Sequence, residues 1–419
     1  MKNFYSHRLI GLIAIGALLL CPGFLHAKKN LAGGESEPAL FDYSCGETGN
    51  KAMLRLPRPD KEVKALLYTH QNMTEEVLFR SKRFTDRMDS LGVAMAFIQN
   101  GSQNWDVKAG CQERFETIIK DFAEGTDHPE ILNAPIIPFG HSAQATFPWN
   151  FAAWNPDKTL CVISYHGDAP RTNLCGYGRE NLEWGRTRNI DSIPGLMVMG
   201  EYEWWEARLR PALAFKMMYP DSRISFLCDA GKGHFDLCDD TLDYMAAFIE
   251  KSLGNPRPDN GVYFSKWNED GTESADFHEQ FWYFDQDMAD WTKRRYDETK
   301  GKQMQYVSAK INGAAIVYNP DSHIKMIVDL DDREFTLEPF FTDATRGMPT
   351  DRHADVKPKV TLISGPAIQT GEYSFKYDPD YFGFDPKRLW SGITLCIEAD
   401  GDSDYKSAVQ ELNIRIKEN

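Results

Sequence analysis

The chain is short of positive charge, of long apolar runs and of metal-binding patterns, and each shortage excludes a class of function. Against 62 Asp and Glu stand 47 Lys and Arg, a formal net charge of −15, so the field around the molecule repels phosphate backbones and anionic lipid. Nucleic acid is not expected as a partner. The apolar run Leu9 to Leu20 is too short to span a bilayer, and no other stretch comes nearer, so no transmembrane segment is expected. The ten His are scattered with no His-x-x-x-His pair, Cys-x-x-Cys is missing, and Asp329-Leu330-Asp331-Asp332 lacks the spacing of a calcium loop. Neither a metal nor an organic cofactor is expected. Internal repeats and low-complexity tracts are absent as well.

What is present fits an ordinary folded protein. The 419 residues, 42% of them hydrophobic, give two to three domains at roughly 150 residues each. Lys2 and Arg8 precede the run Leu9 to Leu20, and Leu25-His26-Ala27 offers a small residue for cleavage, so residues 1–27 read as a signal peptide. That predicts export to the periplasm or beyond. Lipid anchoring at Cys21 is disfavoured because Leu20, rather than a small residue, precedes it. Seven cysteines follow (Cys45, Cys111, Cys161, Cys175, Cys228, Cys238 and Cys396), and an odd number leaves at least one thiol free.

Residues 28–254 read as one α/β domain. Ala65 to Thr69, Val93 to Ile98, Pro135 to Phe139, Leu160 to Ser164, Leu196 to Met199 and Ile224 to Leu227 are short apolar runs of buried-strand type. Helical faces lie between them: Val77, Phe84, Met88 and Leu91 make one, Phe115, Ile118, Ile119 and Phe122 another, and Leu242, Met245, Ala246 and Ile249 a third that stops at Gly254. Alternation of this kind predicts a mostly parallel sheet covered by helices. Asn255 to Gly261 is rich in turn formers and reads as a boundary. Beyond it, alternation at Met326 and Val328, at Tyr373, Phe375 and Tyr377, and at Leu412, Ile414 and Ile416 predicts a linker and an Ig-like antiparallel β-sandwich over residues 255–419.

The chemistry gathers at the ends of the predicted strands. Ile136 to Phe139 runs into Gly140-His141-Ser142-Ala143-Gln144, with a helical pattern through Trp149, Phe151 and Trp154 behind it. A strand that turns sharply into a helix holds a Ser exposed above the sheet, and small neighbours let the backbones approach. Gln144 departs from the Gly usual at that place. After the last parallel strand, Gly231-Lys232-Gly233-His234 puts a His on a Gly-rich loop, where a general base can lean over the Ser. An acid belongs between them in chain order: Glu203 has the favoured reach after Gly200, and Glu201 competes with it. An oxyanion site needs the N–H of Ala143 and one more from the loop Thr69-His70-Gln71-Asn72-Met73. Asn72 with Glu75 three residues on also reads as a helix capping box. His70 and Gln71, together with Tyr177 and Trp184 in the long connection 166–190, are candidates for contact with substrate, and that connection reads as a lid.

With Gly140-His141-Ser142-Ala143, the strand, Gly200 and Glu203, and Gly233-His234 in this order, the chain resembles a secreted bacterial serine esterase of the α/β-hydrolase fold. The resemblance covers residues 45–253 and implies Ser142 as nucleophile, His234 as base, and Ala143 with Asn72 as oxyanion donors. Gln71 stands where that family often has Gly. Exported proteins of this kind resemble esterases that strip acyl groups from plant polysaccharides, so a small-molecule or glycan ester is the expected substrate. A prolyl-oligopeptidase-like peptidase is the alternative enzyme, and a glycan-binding protein on a hydrolase scaffold the alternative without catalysis. Cys228 and Cys238, on either side of His234, are expected to form a disulfide that clamps the base-bearing loop.

Overall fold

The computed structural model describes residues 39–42, 51–58, 61–99, 101, 105–167, 190–200, 221–229, 232–234, 237–262, 281–315, 326–343, 348–379 and 392–417. Each of the six apolar runs forms a strand: β3 (Ala65–His70), β4 (Val93–Ile98), β5 (Ile136–His141), β6 (Val162–Tyr165), β7 (Gly195–Gly200) and β8 (Ile224–Asp229). Ahead of them an antiparallel hairpin, β1 (Ala39–Asp42) and β2 (Lys51–Arg55), completes one eight-stranded sheet in the order β1-β2-β4-β3-β5-β6-β7-β8. The pairings β1–β2 and β2–β4 are antiparallel, and every later one is parallel. This is the α/β-hydrolase fold.

Helices cover both faces, which is why the strands are apolar throughout rather than alternating. Helices α1 (Met73–Arg80), α2 (Lys82–Leu91), α5 (Asp239–Gly254) and α6 (Gln286–Asp297) press Leu78, Met88, Met245 and Met288 onto the face that carries Leu67. Leu66 and Tyr68 point the other way, to Phe115 and Phe122 of α3 (Cys111–Thr126) and Phe147 and Phe151 of α4 (Phe147–Trp154). The apolar face expected from Val77 to Leu91 belongs to two helices. Ser81 takes an extended conformation between them, and its Oγ accepts the N–H of Phe84 at 3.3 Å, so it ends one helix and caps the next.

The turn-rich segment after Gly254 ends α5 without ending the first core. The backbone of Trp282 donates to the Ile224 carbonyl at 2.8 Å on the outer strand β8, and Phe281, Tyr283, Met288 and Ala289 pack into the same cluster as the sheet. Helix α6 therefore serves the α/β domain.

The C-terminal domain is a sandwich of nine strands among the described residues. Strands β9 (Tyr306–Ile311), β10 (Ala314–Ala315), β12 (Glu334–Thr342), β14 (Ala367–Gly371) and β15 (Ser374–Tyr377) form one sheet, in the order β10-β9-β12-β15-β14. Strands β11 (Met326–Leu330), β13 (Lys359–Ser364), β16 (Ile393–Ala399) and β17 (Ala408–Ile416) form the second, in the order β11-β17-β16-β13. Period-two burial is plain in β12, where Phe335 and Leu337 are buried and Glu334, Thr336 and Glu338 are exposed. One pairing departs from the expected antiparallel pattern: β11 runs parallel to β17.

Candidate active site

Strand β5 leads into a single 3-10 turn, Ser142–Gln144, before α4 begins. Ser142 sits at φ 53°, a left-handed conformation that costs an L-residue of order 1–3 kcal/mol and persists only where its surroundings enforce it. Gly140 is one of the enforcers, since a Cβ there would stand 2.0 Å from the Gln144 carbonyl oxygen. The turn thus folds back on its own strand and leaves Ser142 partly exposed. Nε2 of His234 lies 2.6 Å from Ser142 Oγ, so the two residues, 92 positions apart in sequence, share a short hydrogen bond. Strand β7 ends against the same loop. A Cβ on Gly200 would come within 2.7 Å of the Lys232 carbonyl oxygen, so the end of β7 lies beside the segment bearing His234.

His141, next to Ser142, is the most heavily braced residue of the site. Its N–H donates to Glu75 Oε1 at 2.7 Å, its carbonyl accepts Asn72 Nδ2 at 2.8 Å, and its ring Nε2 lies 2.8 Å from the His234 carbonyl oxygen. Burial pushes the Glu75 carboxyl well above the usual carboxylate range, although the N–H of His141 and its own N–H pull it back. The expected capping box is not what these residues make. Asn72 is the N-cap of α1 by position, but its side chain forms no cap bond. Both polar groups are drawn instead to the backbone of His141, because β5 brings that N–H and carbonyl to the start of α1.

The remaining predicted residues fall into three places. Asn72 stands at the N-cap of α1 and Ala143 is the second residue of the turn Ser142–Gln144, positions where backbone N–H groups have no intrahelical acceptor. His70 is buried at 2% exposure, its ring stacked on Phe147 with centroids 4.0 Å apart and its Nδ1 3.3 Å from Gln144 Oε1. Gln144, unusual at its position, is therefore accommodated as the partner of His70. Gln71 spends its N–H on the Ile98 carbonyl at 2.7 Å. Glu201, Glu203, Tyr177 and Trp184 lie outside the described residues. The Cys228–Cys238 disulfide does not form: Cys238 is a free thiol, 3.2 Å from Thr241 Oγ1. The head of α5 holds Cys238 through this hydroxyl contact.

Sequence reasoning passed over His166. It follows β6 at φ 48°, is fully buried, and brings its Nδ1 to 2.8 Å from the same His234 carbonyl oxygen that His141 touches. The available signal was its place just past the C-terminal end of a parallel strand, where α/β sheets build their sites. His141, His166 and His234 offer ring nitrogens within 4.8 Å of one another, the only such group among the described residues. One nitrogen of each ring is already engaged, His141 Nε2 and His166 Nδ1 by the His234 carbonyl and His234 Nε2 by Ser142 Oγ.

No protein-family model matches the chain, and no curated protein matches it. It is similar to solved structures of hydrolases. One is an α/β serine hydrolase homologue from Coxiella burnetii, with 16% identity, a TM-score of 0.35, and coverage of 53% of this chain and 99% of that one. Est1E from Butyrivibrio proteoclasticus has 15% identity and a TM-score of 0.35 over 53% of this chain and 99% of its own. The siderophore hydrolase EstA from Aspergillus nidulans has 10% identity and a TM-score of 0.39 over 58% of this chain and 99% of its own. At such identities no residue role carries across, and the roles of Ser142 and His234 must be argued from their own geometry.

Proposed function

We propose that the protein is an exported serine hydrolase that cleaves an ester by acyl transfer to water, the acyl group being carried by a carbohydrate or another small molecule. The observation that carries this reading is the 2.6 Å contact between His234 Nε2 and Ser142 Oγ at a strained strand-to-helix turn. His234 accepts the Ser142 proton as Oγ attacks the ester carbonyl, and the negative charge that develops on the carbonyl oxygen is met by the N–H groups of Asn72 and Ala143. Collapse of that intermediate expels the alcohol, which takes the proton from His234, and leaves an acyl group on Ser142. Water then attacks with His234 again as base, releasing the acid and restoring the hydroxyl. Glu203 completes the set as the carboxylate that orients His234, with Glu201 as its competitor. Its support is the close approach of Gly200, the last residue of β7, to the Lys232 carbonyl two residues before the base.

Two further features bear on place. Lys2, Arg8 and the run Leu9 to Leu20 support export, and no helix among the described residues is long and apolar enough to cross a membrane.

Ser142→Ala tests the reading. Turnover of p-nitrophenyl acetate should fall at least a hundredfold, in line with about 10⁴ or more for removing such a nucleophile, and fluorophosphonate labelling should vanish. Unchanged turnover rejects the assignment. A panel of acetylated and feruloylated glycans, read by released acid, then identifies the acyl group.

A further inference from the structure

The carbonyl oxygen of His234 receives two imidazoles. His141 Nε2 and His166 Nδ1 each lie 2.8 Å from it, and both rings are fully buried. A carbonyl oxygen only accepts, so each facing nitrogen must carry hydrogen: the proton sits on Nε2 in His141 and on Nδ1 in His166. One carbonyl has two lone pairs, and these two donors fill them. The backbones that deliver the rings are themselves fixed. His141 is held through its N–H by Glu75 and through its carbonyl by Asn72, and His166 is anchored by its own N–H on the Val198 carbonyl at 2.8 Å, with its ring stacked on Tyr165 at a centroid distance of 4.1 Å. A His at φ 48° is strained, and strain of this kind persists where the surroundings enforce it.

We infer that His141 and His166 are positioning residues for the base: together they pin the main chain of His234 and so set where its imidazole stands against Ser142. The inference rests on the ester-hydrolase reading of Ser142 and His234 and deepens it. A residue on a loop does not by itself hold a ring within 2.6 Å of a hydroxyl, and in a water-poor interior two donors on one acceptor make a stiff anchor. The anchors come from the ends of β5 and β6, so the position of the base is referred to the same rigid sheet that carries the nucleophile. A misplacement of about 1 Å in such a pair costs on the order of a hundredfold in rate.

Amide side chains separate donor function from packing. Counted in bonds from Cβ, the Asn amide nitrogen stands where Nδ1 stands in His, and the Gln amide nitrogen where Nε2 stands. His141→Gln should therefore keep its donor and His141→Asn lose it, whereas at His166 it is Asn that keeps the donor. Asn also tolerates the left-handed backbone at position 166, so His166→Gly, which relieves the backbone but has no donor, is the proper contrast there. With p-nitrophenyl acetate, His141→Gln and His166→Asn should hold kcat within about threefold of wild type. His141→Asn and His166→Gly should lower it by about tenfold to a hundredfold, with KM within about twofold. Each variant is checked by thermal melting, and if one pair fails to fold the other decides. Equal kcat within a foldable pair overturns the inference while the wild type remains an active, phosphonate-labelled esterase. A wild type that neither turns over ester nor labels at Ser142 overturns the ester-hydrolase reading and the inference with it.

Discussion

Glu75 Oε1 lies 2.7 Å from the backbone N–H of His141, and the carboxyl that makes this bond has no solvent exposure. Its second oxygen, Oε2, has no hydrogen-bond partner among the described residues. An ionised carboxylate in that place has lost its hydration for one N–H donor from β5 and one from its own backbone, which is why its pKa is raised.

A raised folded-state pKa favours the neutral acid in the folded protein. The stability it contributes is complete below the unfolded value near pH 4.5 and is lost as pH climbs through the folded value, at up to about 1.4 kcal/mol per pH unit. Glu75→Gln copies the neutral acid in shape and keeps an oxygen for the His141 N–H. Urea midpoints from pH 4.5 to 8.5 should show variant and wild type nearly equal at the acid end and the variant increasingly favoured toward the alkaline end. Other titrating groups cancel in the difference. A gap that stays constant with pH would mean that Glu75 titrates as an ordinary surface carboxylate.

Asn72 allows a sharper test, because two roles predict opposite orders. As an N-cap that accepts hydrogen bonds, it would be replaced by Asp with little loss and by Ala at about 1 kcal/mol. As a donor from Nδ2 to the His141 carbonyl, it is worse served by Asp, whose carboxylate would face that carbonyl at hydrogen-bond distance. We expect Asn72→Ala to cost about 1 kcal/mol and Asn72→Asp more than that at pH 7, with ester turnover falling in the same order. Guanidinium unfolding of the pair is the measurement, and Asp outranking Ala would restore the capping role.

Much of this was legible in the sequence, and the exceptions have physical causes. The parallel strands announce themselves because burial on both faces makes them apolar throughout, and the turn at Ser142 because Gly140 and Ala143 keep its surroundings small. The hairpin Ala39–Asp42 and Lys51–Arg55 shows no such run, since its outer strand has a single neighbour. Asn72 and Glu75 have capping-box spacing whichever bonds they make, and only the passage of β5 beside α1 decides the outcome. Pairing of Met326–Leu330 with Leu412–Ile416 joins segments far apart in sequence, and alternation reports a strand's faces without its partner's direction. His166 carries no motif, because the carbonyl it meets belongs to another loop.

Glu76, the residue after Glu75, turns to the other domain. Its Oε1 accepts Arg80 Nη2 at 2.9 Å and the Gly365 N–H at 3.1 Å, and the same Arg80 nitrogen donates to the Gly365 carbonyl at 2.8 Å. One turn of α1 thus grips both polar ends of a residue just past β13, while the start of the helix grips His141. The Glu76 side chain is 3% exposed and that of Arg80 20%, so removing the cation leaves a nearly buried carboxylate with one weak donor. Arg80→Ala should cost about 2–3 kcal/mol, below the 3–5 expected for a fully buried pair because Arg80 retains some contact with water. Removing both partners should cost less than removing Arg80 alone, since no charge is then stranded. A double-mutant cycle in guanidinium, with Glu76→Ala as the second single variant, reads this directly. Additive losses would reduce the contact to a surface ion pair, and the sandwich would then be held on α1 by packing rather than by this clasp.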